Sequence, residues 1–348
     1  MSRLAIITNP GSYRNRLWPL AAQALRKAAP GAVFFEAGSV AALAAIAAEV
    51  ESVGFEVVAI AGGDGTVQHV VTALDRACGG KLPLLALLGG GAYDSLAALG
   101  GSGDAEVRLR RLSVALASGV PMLLEPPESR LFPFSLLQPG GREFLRVVER
   151  DTLRVGGACG FRLGVGLPVV FVEAVYQAGG GRSAGLRTLL RAASSSMVKG
   201  PFARALYRPL PVTVWVDGDE WPALPLYGMV CSTVEEAGLG LRPFRRALEQ
   251  PGFFQALGLT AGPRAFALEL PRLLLGLPAR RDRLLDSVAE RVELRPSLRH
   301  APDHCPDHSL PHSGTGPGGL RYLLDGELLD SPGPLTVGLG PRIRVVRT

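Results

Sequence analysis

A cluster of glycines around one acid, Gly62-Gly63-Asp64-Gly65-Thr66, is the part of this sequence best equipped for chemistry. Glycines at 62, 63 and 65 let a backbone turn sharply and come close to a ligand, with amide N–H groups left to point at phosphate oxygens. An apolar run, Val57 to Ala61, leads into the turn as a strand, and a helical pattern from Val67 to Arg76 leads out. The positive end of that helix would meet the same ligand. Asp64 sits where a carboxylate could hold a phosphate-bound Mg2+ or orient an attacking hydroxyl, and Thr66 is a possible cap. These residue types describe a phosphate-binding turn, with an ordinary strand-to-helix turn as the competing reading.

The elements that would position this turn follow a regular alternation. Leu4 to Thr8 reads as a strand, followed by the turn Asn9-Pro10-Gly11-Ser12 and a helix from about Leu17 to Ala29. Val33 to Glu36 is a second strand, and Ser39 is a plausible N-cap for an alanine-rich helix reaching about Val53. After the Asp64 turn, Leu84 to Leu88 repeats the strand pattern, with Gly89-Gly90-Gly91 as its turn and a helix expected from Asp94 to Leu99. Short apolar strands alternating with helical segments predict a doubly wound parallel sheet, with its glycine turns on one sheet edge.

Beyond about Pro121 the pattern shifts to shorter strands and more Pro and Gly. Thr213 to Val216 before Asp217-Gly218, and Arg321 to Leu324 before Asp325-Gly326, read as strands entering tight hairpins. The expected organisation is therefore an α/β domain over 1–123 and a mainly β domain over 124–348, whose last strands could pack back on the first. Residues 185–210, with Leu186, Leu189 and Leu190 beside Arg187, Arg191, Arg204 and Arg208, form a basic amphipathic segment. Covering a core is the expected role of such helices, and lying on a membrane surface is the alternative.

His300, His304, Cys305, His308 and His312 could supply ligands for zinc, but Pro302, Pro306 and Pro311 forbid a continuous helix and no finger spacing is present. A loop insertion with adventitious metal affinity is the preferred reading. The formal charge of +6 is carried almost wholly by arginine, since lysine occurs only at 27, 81 and 199. Such a surface attracts phosphate, anionic headgroups or nucleic acid alike, yet no nucleic-acid module or basic run with interleaved aromatics is present. Four scattered cysteines suit a reducing, cytoplasmic setting. The first apolar run is too short for a signal-peptide core, and the longer ones are broken before they could span a bilayer, so membrane contact is expected to be peripheral, at the inner face.

Gly-Gly-Asp-Gly-Thr after a buried strand resembles the signature of the diacylglycerol kinase and sphingosine kinase superfamily, a turn shared with NAD kinases. Asn9-Pro10 with Ser12 is similar to that family's opening nucleotide-binding turn, and Asp325-Gly326-Glu327 to its late Asp-Gly-Glu. Gly238-Leu239-Gly240 before Arg242-Pro243 resembles a glycine-and-proline stretch of its second domain. The resemblance implies a NAD-kinase-like sheet followed by a sandwich-like β domain. It implies ATP and Mg2+ as cofactors. Asn9, Pro10, Ser12, Gly62, Gly63, Asp64, Gly65, Thr66, Gly89, Gly90, Gly91 and Asp94 would be nucleotide-binding residues, with Arg14 and Arg16 as possible phosphate clamps. Asp64 and Glu327 would be catalytic, Glu327 acting from across an interdomain cleft as general base or metal partner, and Asp325 a further Mg2+ ligand.

No Gly-x-x-x-x-Gly-Lys-Ser/Thr segment occurs, which excludes a P-loop enzyme as the template. The second glycine turn departs from the family's pattern: Gly91 stands where a threonine is usual and Tyr93 where an asparagine is usual. A tyrosine there could stack on an adenine or fill its pocket. The expected function is thus ATP-dependent phosphorylation of a hydroxyl on a lipid such as diacylglycerol or a sphingoid or ceramide-type lipid, presented at the membrane surface. A non-catalytic nucleotide- or lipid-binding protein and a NAD-kinase-like phosphotransferase for a soluble substrate are the alternatives.

Overall fold

The computed structural model describes residues 3–17, 21–91, 93–125, 144–222, 224–275, 277, 280, 284–297 and 319–348. The cluster from His300 to His312 lies outside them. Two compact units form, Met1–Thr152 with Pro341–Thr348, and Leu153–Gly340. The first unit thus runs on past the expected boundary at 123.

In the first unit, β1 (Leu4–Thr8), α1 (Tyr13–Leu17), α2 (Ala21–Ala28), β2 (Val33–Glu36), α3 (Val40–Val53), β3 (Val57–Ala61), α4 (Asp64–Cys78) and β4 (Leu84–Leu87) follow one another, then a 3-10 turn (Ala97–Gly100), α5 (Ala105–Ala117), β5 (Met122–Leu124) and β6 (Leu145–Arg150). The C-terminal strand Ile343–Arg347 joins the same sheet, whose order is β2-β1-β3-β4, the C-terminal strand, β6 and β5. β1, β2, β3 and β4 pair in parallel. β1, β3 and β4 are buried along their whole length, because helices cover the sheet, and so they read in the sequence as unbroken apolar runs.

The sequence's own signals set several boundaries. Ser39 caps α3, its hydroxyl accepting from the Ala42 amide at 3.2 Å, and Gly54 ends the helix in the left-handed conformation (φ 71°). α4 starts at Asp64, earlier than the apolar periodicity predicts, because Gly63 takes the N-cap position and the glycines form the helix's own first turn. The helix expected from Asp94 is replaced by the short 3-10 turn. Asp94 has a positive φ of 50°, and its carboxylate folds back to accept from the Gly90 and Gly91 amides, so the chain cannot enter a helix there.

The second unit holds two antiparallel sheets of six strands. One has the order β11-β10-β15-β18-β7-β8 and the other β14-β13-β12-β9-β16-β17. The strands are β7 (Leu153–Val155), β8 (Ala158–Gly160), β9 (Arg162–Gly166), β10 (Val212–Val216), β11 (Asp219–Glu220), β12 (Gly228–Ser232), β13 (Phe254–Leu259), β14 (Leu284–Ala289), β15 (Arg291–Pro296), β16 (Leu320–Leu324), β17 (Glu327–Ser331) and β18 (Leu335–Leu339). Val214, Met229, Phe254, Leu294, Leu324 and Val337 are among the residues sharing one core. Both expected hairpins form: Asp217-Gly218 joins β10 to β11 and Asp325-Gly326 joins β16 to β17, all four residues at positive φ. Among the described residues four helices accompany the sheets, α6 (Leu167–Gln177), α7 (Gly181–Met197), α8 (Pro201–Leu206) and α9 (Pro263–Leu274).

Candidate functional site

Because β1, β3 and β4 run parallel and side by side, the loops that follow them emerge at one edge of the sheet, the place where open α/β sheets bind ligands. Asn9 to Ser12 follows β1, Gly62 to Thr66 follows β3, and Gly89 to Leu96 follows β4. Specific side chains tie the three loops together. Asn9 Nδ2 donates to Thr66 Oγ1 at 2.9 Å while its Oδ1 accepts from the Gly11 amide at 2.8 Å, so one amide side chain shapes the first loop and pins it to the second. Asn15 Nδ2 donates to the Asn9 carbonyl at 2.6 Å, bracing the loop from the short helix α1.

Asp64 links the second loop to the third. Its Oδ1 accepts from the Leu96 amide at 3.1 Å, and its Oδ2 accepts from the Ser95 hydroxyl. The same two loops also touch through bare backbone. A Cβ on Gly91 would lie 2.4 Å from the Gly63 Cα, and one on Gly63 would lie 2.9 Å from the Gly91 Cα. No side chain fits between them. Gly91 is therefore required by this packing, which accounts physically for one of the two departures seen in the sequence; a threonine in this position would meet the neighbouring loop.

The chemistry available at this edge is that of a phosphate cradle. The first N–H groups of α4 have no carbonyl partner within the helix, and they lie at the positive end of its dipole beside glycines that admit close approach. Ser12 is buried, and its hydroxyl has no hydrogen-bond partner among the described residues, leaving a polar atom of the first loop with its capacity unspent. The residues present thus fit a polyphosphate group. Asp94 differs from expectation in one respect: by accepting from Gly90 and Gly91 it already satisfies two amides of the third loop, and so it acts as that loop's internal anion. Tyr93 is half-buried, and burial pushes its hydroxyl pKa up, so it stays neutral. Arg16 is exposed, and the Arg14 side chain lies outside the described residues.

The late Asp-Gly-Glu falls in the second unit, at the β16–β17 turn. Asp325 is sealed there, its side chain without exposure, and it accepts from the Phe161 amide at 2.7 Å, the Arg162 amide at 3.1 Å and Arg162 Nε at 3.3 Å. Three donors fill a carboxylate that sequence reasoning would offer to a metal, and they make it the pin between this hairpin and the start of β9. Glu327 is exposed at the start of β17. Among the described residues, no group of three or more His, Cys, Asp or Glu is placed to hold a metal ion. Ser95, which donates to Asp64, is a site residue that sequence reasoning misses; a hydroxyl next to Asp94 in a polar turn is the only signal for it. The glycine-and-proline stretch from Gly238 to Pro243 is no part of the sheet-edge loops: it lies in the second unit, where the Leu241 amide donates to the Gly238 carbonyl at 3.0 Å.

Residues 3–118 match the diacylglycerol kinase catalytic domain family. The first unit carries a diacylglycerol kinase-type catalytic domain. Solved structures share the fold across the whole chain. A diacylglycerol kinase from Bacillus anthracis str. Sterne is 12% identical with a TM-score of 0.60, the match covering 100% of this chain and 97% of that one. A second, candidate diacylglycerol kinase of the same organism is 14% identical with a TM-score of 0.64, covering 100% and 96%. Among curated proteins nothing matches. The kinase-type domain contains all three sheet-edge loops, since the family match spans Asn9, Asp64 and Asp94 alike.

Proposed function

We propose that this protein is an ATP-dependent lipid kinase that phosphorylates a hydroxyl group of a lipid. The observation that carries the reading is the joining of the three loops at the kinase-type domain's sheet edge, through Asn9–Thr66, Asp64–Ser95–Leu96 and the Gly63–Gly91 contact. Asn9, Ser12 and Gly62 to Thr66 would hold the nucleotide, with the bare backbone of the third-loop glycines beside it, and Asp64 the metal. Bound Mg-ATP supplies the transferable phosphoryl group and the cation that neutralises its charge.

The protein's own part is positional. Ser95 and Leu96 each hold one oxygen of the Asp64 carboxylate, which is partly exposed. Partial exposure leaves the Asp64 carboxylate within reach of a metal or an acceptor hydroxyl while these contacts keep it fixed. Rigid placement of that kind supplies most of what phosphoryl transfer asks of a protein. Glu327 is the proposed general base, because its carboxylate is exposed and no donor among the described residues fills it in the way three fill Asp325.

The test is incubation of the full chain with labelled ATP and Mg2+ over a panel containing diacylglycerol, ceramide and sphingoid bases. Label in an organic-phase product is expected; its absence with every lipid, under conditions where ATP raises the melting temperature, would replace the reading with a second one. That second reading, a nucleotide-binding protein without turnover, is favoured by one observation: Asp94 takes up the Gly90 and Gly91 amides that a phosphate would otherwise use.

A further inference from the structure

Helix α7 is built inside out. It buries Ala184, Gly185, Thr188 and Ser196 and half-buries Leu189, while Leu186 is 52%, Leu190 59% and Met197 46% exposed, and Val198 just past its end 74%. A helix that only covers a core does the reverse, turning its leucines inward. The core-covering role expected of this segment therefore does not describe α7. Small residues let it pack closely on its neighbours, while Leu186 and Leu190, one turn apart, form an outward stripe.

The stripe does not stand alone. α9 packs beside α7, with Arg264 Nε donating to the Met197 carbonyl at 2.8 Å, and it too exposes Leu268 and, just past its end, Leu275. Cations flank the apolar residues, Arg182, Arg187, Lys199 and Arg204 all being exposed. No Asp or Glu occurs anywhere from 174 to 216.

We propose that the outward face of α7, continued by α9, docks on an anionic lipid bilayer, its leucines entering the interface and its arginines meeting the headgroups. Charge favours this occupant over a second copy of the chain. A two-fold contact through this face would bring the same cations against themselves, whereas an anionic surface complements them, and long arginine side chains let leucines sink while their charge stays at headgroup level. The inference stands on the second unit alone and is independent of whether the first unit transfers phosphoryl groups.

Cosedimentation of the full chain, without nucleotide, with vesicles of phosphatidylcholine containing phosphatidylglycerol, and with vesicles of phosphatidylcholine alone, tests it. Binding to the anionic vesicles is expected, weakening as salt is raised. The doubly substituted Leu186→Ser, Leu190→Ser chain and the doubly substituted Arg182→Gln, Arg187→Gln chain should each partition at least about tenfold less, since each loses two of the groups that engage the interface. All four side chains are exposed, so melting temperatures should not move; that measurement separates lost docking from lost folding. No binding to anionic vesicles, equal binding by folded variants, or a dimer that the leucine substitutions disperse in the absence of lipid would overturn the proposal.

Discussion

Two turns in this molecule place an aspartate beside glycine, and they use it in opposite ways. Asp64, the first residue of α4, is partly exposed; it accepts from a hydroxyl and one amide of a neighbouring loop, among glycines in backbone contact. Asp325, between β16 and β17, is sealed, and three N–H donors from Phe161 and Arg162 fill it. Both acids hold another segment in place. What separates them is access: Asp64 is partly exposed, whereas the Asp325 side chain has no exposure at all.

The sharpest way to break this comparison is to remove the acid that is fully enclosed. Asp325→Ala strands the Phe161 and Arg162 amides and leaves the Arg162 guanidinium, only 14% exposed, without its carboxylate. A loss of about 3–5 kcal/mol in unfolding free energy is expected, read from the denaturant midpoint. If Asp325 were instead a free ligand, removal would leave stability unchanged. Gly91→Ala comes next, because the added methyl would sit 2.4 Å from the Gly63 Cα and force the two loops apart. A cost of about 1–3 kcal/mol is expected, together with loss of the melting-temperature rise given by Mg-ATP. Asn9→Ala removes the bridge from the first loop to Thr66 and should cost about 1–2 kcal/mol while weakening, without abolishing, that ATP-dependent rise.

The first unit is largely legible in the sequence because its elements obey local rules. Buried parallel strands leave unbroken apolar runs, and the bounds of β1 and β3 follow from them directly. Ser39 announces α3 because a cap is a local bond. Asp217-Gly218 and Asp325-Gly326 announce hairpins because positive φ is a local demand. Non-local facts are not legible. That Gly91 is needed by Gly63, that Asp94 turns back on its own loop instead of opening a helix, and that Ser95 serves Asp64 all depend on chain segments brought together only by folding. α7 misleads for the same reason. Its leucine spacing says that the apolar residues share a face, but only the packed helices decide whether that face looks in or out. The sheet-edge site is marked by its glycines and Asp64, while the sealed state of Asp325 has no signature, since Asp-Gly-Glu reads alike whether or not Phe161 and Arg162 are waiting for it.

The central claim is that the loop bearing Asp64 handles phosphate and directs its transfer. Initial rates of labelled phosphoryl transfer from ATP to an accepted lipid, measured for the native chain and for Asp64→Asn, test it most directly. The substitution keeps one acceptor oxygen for the loop but removes the charge, so the melting temperature should change little while the rate falls by about 100-fold or more. An undiminished rate in a folded Asp64→Asn protein would contradict the account.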